Sequence, residues 1–253
     1  MFDPVALLAY LKGKATEVGN TIKTALSKVL GLYDASESII HIDNTVVEAR
    51  QNFLKLHETG HHDIPTHKKL FRFFQDCEKT LAPEVADQFE REANNFARFA
   101  LFKGGQFAQD AADCKFEIKT PMKLAKRYGA SVYASVREFA RTNARACIVY
   151  ALEPIEFVAG YGARAEVRRI EVSPNYLLQF GMPTDLFITL DHPLGSILPI
   201  GRKMTRPTTL ILTDLNGNVH ECLAEAFDTT YNVFILIYPV KALTKKIFIS
   251  SVA

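Results

Sequence analysis

No stretch of this chain approaches the ~18 consecutive apolar residues that a membrane span requires, so no membrane partner is expected. Charge of one sign is scarce as well: 30 Lys and Arg against 28 Asp and Glu leave a net charge of +2. That argues against a broad nucleic-acid-binding surface and leaves room only for a local basic patch. Cysteine is sparse. Cys77, Cys114, Cys147 and Cys222 are scattered without a C-x-x-C pair, a pattern that points to buried free thiols in a reducing compartment rather than a disulfide frame. The opening Met1-Phe2-Asp3-Pro4 has neither the basic nor the apolar region of a secretory signal. A cytoplasmic protein is the expectation. What is present is a 253-residue chain, 48% hydrophobic. It is long enough for one large domain or two to three small ones and apolar enough for a real core.

The most informative stretch is Asn52–His62, NFLKLHETGHH. It contains His57-Glu58-Thr59-Gly60-His61, an H-E-x-x-H string. On a helix, positions i and i+4 share a face, so His57 and His61 can reach one metal ion. Glu58 is offset by one residue and is left to act as a base, the arrangement of a zinc-dependent protease. A helix over Thr45–His62 is expected, with Val46, Val47, Phe53, Leu54 and Leu56 on its core face and Asp63-Ile64-Pro65 as its stop. Gly60 in a helix interior costs about 1 kcal/mol against alanine. A close approach of another backbone would justify it. His62 points about 100° away from His61. His62 and His67 read as solvent-facing or structural, and His41 as a solvated strand residue.

A mononuclear zinc hydrolase needs a third protein ligand and leaves a fourth position open. Pro83 opens a second long helix through about Phe102, and Glu90 on it supplies a carboxylate. Asn94 lies on the same face, placed to orient a ligand by hydrogen bond. Glu92 points about 200° away from Glu90 and reads as a plain surface carboxylate.

The HETGH string, followed on the next long helix by Glu90-x-x-Ala93-Asn94-x-Phe96-Ala97, resembles the ImmA/IrrE family of metallo-endopeptidases. The apolar lead-in Phe53-Leu54-Lys55-Leu56 is similar too. One departure is Phe99–Gly105, which lacks the proline that usually closes the family's second string; this affects the helix end and not the ligands. The resemblance covers about the first 150 residues. It implies zinc on His57, His61 and Glu90, with Glu58 moving the proton from water to the leaving amine. It further implies limited cleavage of a protein substrate, often a helix-turn-helix transcriptional repressor, in stress response or mobile-element control. Tyr33, His62 and His67 are candidates for the group opposite the metal.

The remaining chain sets the expected architecture. Helices are expected from Asp3-Pro4 and over about Thr21–Leu30, ended by Gly31. Ser38–Asp43 reads as a short strand and Lys68–Leu81 as an amphipathic helix. Lys123–Thr142 reads as helix, turn at Gly129, helix, with Lys123, Lys126, Arg127, Arg137 and Arg141 making it basic. Ser131-Val132-Tyr133-Ala134 is a poor set for base readout, so DNA contact is the less favoured role of this pair. From Ala146 onward the pattern turns to period two, over Cys147–Leu152, Val167–Val172, Leu186–Leu190, Thr208–Thr213, Asn218–Ala224 and Val233–Tyr238, with an N-G hairpin signal at Asn216-Gly217. The fold class expected is α+β: a mainly helical zincin-like domain with a small sheet (1–115), a helix-turn-helix-like segment (116–145) and a β-rich regulatory or recognition domain (146–253). Two other readings stay open. One is a non-catalytic regulator that binds DNA or a partner protein and carries a structural or inactive zinc site. The other is a toxin-system component acting on its cognate regulator.

Overall fold

The computed structural model describes residues 31–34, 39–42, 45–67, 83–160 and 162–241. The helices expected before Gly31 and over Lys68–Leu81, and Cys77, lie outside the described residues. The chain splits into two compact units. One takes the described residues up to Gln106 together with Arg127–Ser131; the other takes Phe107–Lys126 and the chain from Val132. Arg127–Ser131, around the Gly129 turn of the helical pair, is thus grouped with the first unit and the residues on either side of it with the second.

In the first unit, strands β1 (Gly31–Asp34) and β2 (Ile39–Ile42) pair antiparallel, Tyr33 opposite Ile40. Gly31 thus begins a strand. Helix α1 runs Glu48–Asp63 and packs on this strand pair and on helix α2, Pro83–Leu101. It starts at Glu48, after the cap position Val47, three residues later than the sequence suggests. Val47 is exposed, and Phe53, Leu54 and Leu56 are only half-buried. The fully buried positions of α1 are His57, Glu58, Gly60 and His61, so the helix buries its polar motif in place of an apolar stripe. Ile64 ends the helix in extended conformation while its N–H still reaches the Gly60 carbonyl, as expected for a residue before proline. On α2, Phe89, Ala93, Ala97 and Leu101 form one buried row at i, i+4 spacing. The two alanines keep that row thin.

Gly60 meets this thin row. A Cβ there would stand 3.3 Å from Ala93 Cα and 3.2 Å from Phe96 Cδ1. The glycine therefore lets α1 and α2 come close enough for side chains of both helices to meet in one cluster.

The second unit is built on a seven-stranded antiparallel sheet, and the α+β class stands. The strands are β3 (Ile148–Leu152), β4 (Glu156–Val158), β5 (Gly162–Val172), β6 (Phe187–Thr189), β7 (Thr208–Thr213), β8 (Val219–Asp228) and β9 (Val233–Pro239). Their order is β4-β5-β3-β9-β8-β7, with β6 also pairing β5. β3 and β9 sit centrally and are buried at every position, which is why they read as continuous apolar runs. Edge strand β7 keeps an exposed-to-half-buried alternation. Helices α3 (Gln106–Ala112), α4 (Lys119–Tyr128) and α5 (Val132–Thr142) precede the sheet. α5 lies on β3 and β5 through buried Val136 and Phe139. A short helix α6, Pro174–Phe180, follows β5 and is capped by Ser173 Oγ, which accepts from the Tyr176 N–H.

The Asn216-Gly217 hairpin is present. Asp214 Oδ1 accepts from the N–H groups of Asn216 and Asn218, and Gly217 takes the positive φ of 80°. Cys147 and Cys222 are buried free thiols as expected, but Cys114 is exposed. Burial pushes the Cys147 thiol up to about 12. Among the described residues, no helix is long and apolar enough to cross a membrane.

Candidate metal centre

Four buried polar side chains of the first unit, His57, Glu58, His61 and His67, carry an energetic cost that partners must offset. His57, Glu58 and His61 come from α1. His67 comes from the helical turn at 65–67 just past the Ile64 break. From α2 come Glu90, Glu92 and Asn94, and these sit nearer the surface.

His57 Nε2 and His61 Nε2 face each other at 3.1 Å. Glu90 closes the triangle, with Oε2 3.3 Å from His57 Nε2 and Oε1 3.5 Å from His61 Nε2. His57, His61 and Glu90 thus form a group that can hold a metal ion. Ligands about 2.0–2.1 Å from a tetrahedral ion stand roughly 3.3 Å from one another, and the three separations bracket that spacing.

The donor set fits a cation chemically as well. Asn94 Oδ1 lies 3.2 Å from His57 Nδ1. An amide oxygen only accepts, so Nδ1 carries the hydrogen, and in that tautomer Nε2 presents a lone pair. Burial, then the neighbouring charges of His57 and His67, lowers the pKa of His61 to about 4, so it is neutral at pH 7. Two imidazole nitrogens and a carboxylate turned toward one point repel unless a cation lies between them. Glu90, with its side chain 59% exposed, leaves one side of the group open to solvent.

Every residue expected as a ligand is therefore in the cluster, and Asn94 lies beside His57 Nδ1. Glu58 is buried on the same helix. Tyr33 lies on β1 and His41 on β2. His62 is half-buried and pairs with its neighbour, Asp63 Oδ1, at 2.7 Å.

One assignment is narrowed and one needs correction. Of the two readings of His67, solvent-facing or structural, burial leaves the second: it is fully buried, stacked on Phe89 with ring centroids 4.2 Å apart, and its Nδ1 lies 3.1 Å from His61 Nδ1. Glu92 is not a plain surface carboxylate. Its Oε2 lies 3.0 Å from His67 Nε2 and its Oε1 accepts from Gln88 Nε2 at 2.8 Å. These contacts, Gln88 first and then His67, hold its carboxyl below the usual carboxylate range. The 200° separation from Glu90 was right, but it aims Glu92 at His67 and not at water. The only sequence signal was His67 itself, a further histidine close behind the motif.

The basic helical pair has a different character. Arg137 Nη2 lies 2.6 Å and Arg141 Nη2 2.9 Å from Glu171 Oε1 on β5. These two arginines of α5 are spent on the sheet beneath it. Lys123, Lys126 and Arg127 are exposed.

No family model and no curated protein matches the chain. Among solved structures, a Mycobacterium tuberculosis transcriptional regulator aligns over 84% of this chain and 71% of that one, at 11% identity and a TM-score of 0.47. A likeness that weak carries no functional argument.

Proposed function

We propose that the chain is a zinc-dependent endopeptidase of the ImmA/IrrE kind that makes limited cuts in a regulatory protein. The convergence of His57, His61 and Glu90 within one ligand shell carries this reading. The three ligands are two imidazoles and one carboxylate, a set used by catalytic zinc, whereas structural zinc is usually closed by four protein ligands. When bound, the ion would polarise a scissile carbonyl and lower the pKa of water to about 7. The chain's own residues do the rest. His57, held by Asn94, and His61 keep their Nε2 lone pairs directed into the cluster. Glu58, the next residue after His57, serves as the general base and returns the proton to the leaving amine. Exposed Glu90 leaves the approach open to an extended peptide. A helix-turn-helix repressor acting in stress response or mobile-element control is the substrate class this reading favours. Against the non-catalytic alternative, Arg137 and Arg141 of α5 are paired with Glu171 and are not free for DNA.

The test is to co-express the wild type or Glu58→Gln with candidate repressors and to measure both cleavage and bound zinc. Glu58→Gln is expected to hold zinc and to lose about 10²- to 10⁴-fold in cleavage rate. Equal behaviour of the two zinc-loaded proteins against every candidate would sink the protease reading.

A further inference from the structure

The cluster continues outward through a second histidine to a carboxylate, in the order Glu90 and His57, His61, His67, Glu92. The contacts are 3.1 Å between His61 Nδ1 and His67 Nδ1 and 3.0 Å between His67 Nε2 and Glu92 Oε2. Only one pattern of protons satisfies all of these contacts with neutral rings. Glu92 is an acceptor, so His67 Nε2 must carry the hydrogen. His67 Nδ1 is then a lone pair, and His61 Nδ1 must donate to it. His61 is left with its own lone pair on Nε2, aimed at His57 and Glu90. The opposite tautomer of His61 would put a proton where a cation belongs.

We propose that His67 and Glu92 are positioning residues: together they lock His61 in the Nδ1–H tautomer and so set the metal affinity of the cluster. This rests on the reading of His57, His61 and Glu90 as a metal site. The geometry is built for the task. His67 is wholly buried, stacked on Phe89, and its orientation is fixed by a carboxylate that Gln88 holds in turn. Helix α2 thereby contributes three consecutive functions within one turn: Phe89 packs the His67 ring, Glu90 is the ligand, and Glu92 fixes the His67 proton. Partners of ligating histidines that set tautomer and ring orientation are worth about 10- to 100-fold in metal affinity.

The experiment uses the full chain and zinc itself. Zinc affinity is measured by competition with a chromophoric chelator, and the His61 tautomer is read from long-range proton–nitrogen correlations of its imidazole. The variants are His67→Phe, which keeps an aromatic ring against Phe89 but neither nitrogen, and Glu92→Ala, a more exposed change that tests the same chain if His67→Phe fails to fold. Both are expected to bind zinc 10- to 100-fold more weakly and to lose the single Nδ1–H tautomer of His61. Glu92→Gln retains an acceptor oxygen and should recover affinity to within a few-fold of wild type. If wild type binds zinc tightly and both variants match it with the His61 tautomer unchanged, the positioning role is wrong and the metal site stands. If wild type itself does not bind zinc, the site reading fails and the positioning role with it.

Discussion

Two sets of histidines in this molecule behave in opposite ways. In the sheet unit each histidine closes on one carboxylate. His220 Nε2 meets Asp214 Oδ2 at 2.9 Å, and His192 Nε2 meets Asp185 Oδ1 at 3.1 Å. Asp185 also accepts from the Tyr150 hydroxyl, and His192 Nδ1 accepts from the Leu194 N–H. His192 thus has a partner at both ring nitrogens, and His220 is tied through Nε2 to the Asp214 turn. In the helical unit the outer nitrogens of His57 and His61 are satisfied by Asn94 and His67, while the inner nitrogens confront each other and a carboxylate. In one set a histidine pairs with a carboxylate beside it; in the other, two ring nitrogens and a carboxylate from two helices converge on one point that could hold a metal ion.

Substitution gives the sharpest contrast. His61→Ala should cost more zinc affinity than the roughly 10- to 100-fold typical of losing an outer partner, because it removes a ligand. His220→Ala should leave zinc affinity unchanged while lowering the unfolding midpoint, since Asp214 loses the partner that most strongly holds its carboxyl below the usual range. Chelator competition and thermal melts on both variants separate the two. Equal zinc loss in both would erase the distinction.

A smaller effect is expected at Gly60. Alanine would gain about 1 kcal/mol of helix propensity. Its Cβ would press on Ala93 Cα and Phe96 at 3.2–3.3 Å, and overpacking costs about 1–3 kcal/mol. Because one of the opposed atoms is backbone, the helices must part, and a net loss of about 1 kcal/mol with weaker zinc binding should follow. Gly105, with nothing within 4 Å of its Cβ direction, is the control: Gly105→Ala should leave both unchanged. If Gly60→Ala were also neutral, the close approach of α1 and α2 would not matter to the site.

Much of this was legible in the sequence, and the remainder was not for definite reasons. The i, i+4 histidines and the same-face pair Glu90 and Asn94 follow from helix periodicity, so the grouping of His57, His61 and Glu90 was readable. The strands of the sheet unit, with their apolar runs and alternation, were readable too. His67 and Glu92 were not, because their roles depend on how the chain turns after Ile64, and no periodicity crosses a helix break. β4 is three residues long, too short for a period-two signal, and α6 is a seven-residue helix opening on Ser173-Pro174, a capped start that little apolar periodicity follows. The core face of α1 was misjudged because apolar residues were assumed to be the buried ones; here the buried face is the motif.

Acid should separate the two histidine sets last and least. In metal-free protein His61 is lowered from 6.5 to about 4, chiefly by burial. The unfolded chain therefore binds its proton over a range in which the folded chain does not. The stability tied to neutral His61 is fully present above pH 6.5 and is lost progressively as pH falls to about 4. Asp214 works in a lower window. Its carboxyl is held below the ordinary 3.8 by the His220 hydrogen bond, with Asn218 and the turn amides adding to it, so its contribution is lost only as pH falls beneath that value. Amide signals of α1 should weaken between pH 6.5 and 4, while those of 214–220 persist to lower pH. Zinc should move the first transition downward, because protons must then displace the metal from its ligands. Simultaneous loss of both sets of signals, or an α1 transition indifferent to zinc, would show that the converging lone pairs of His57 and His61 are not what acid attacks.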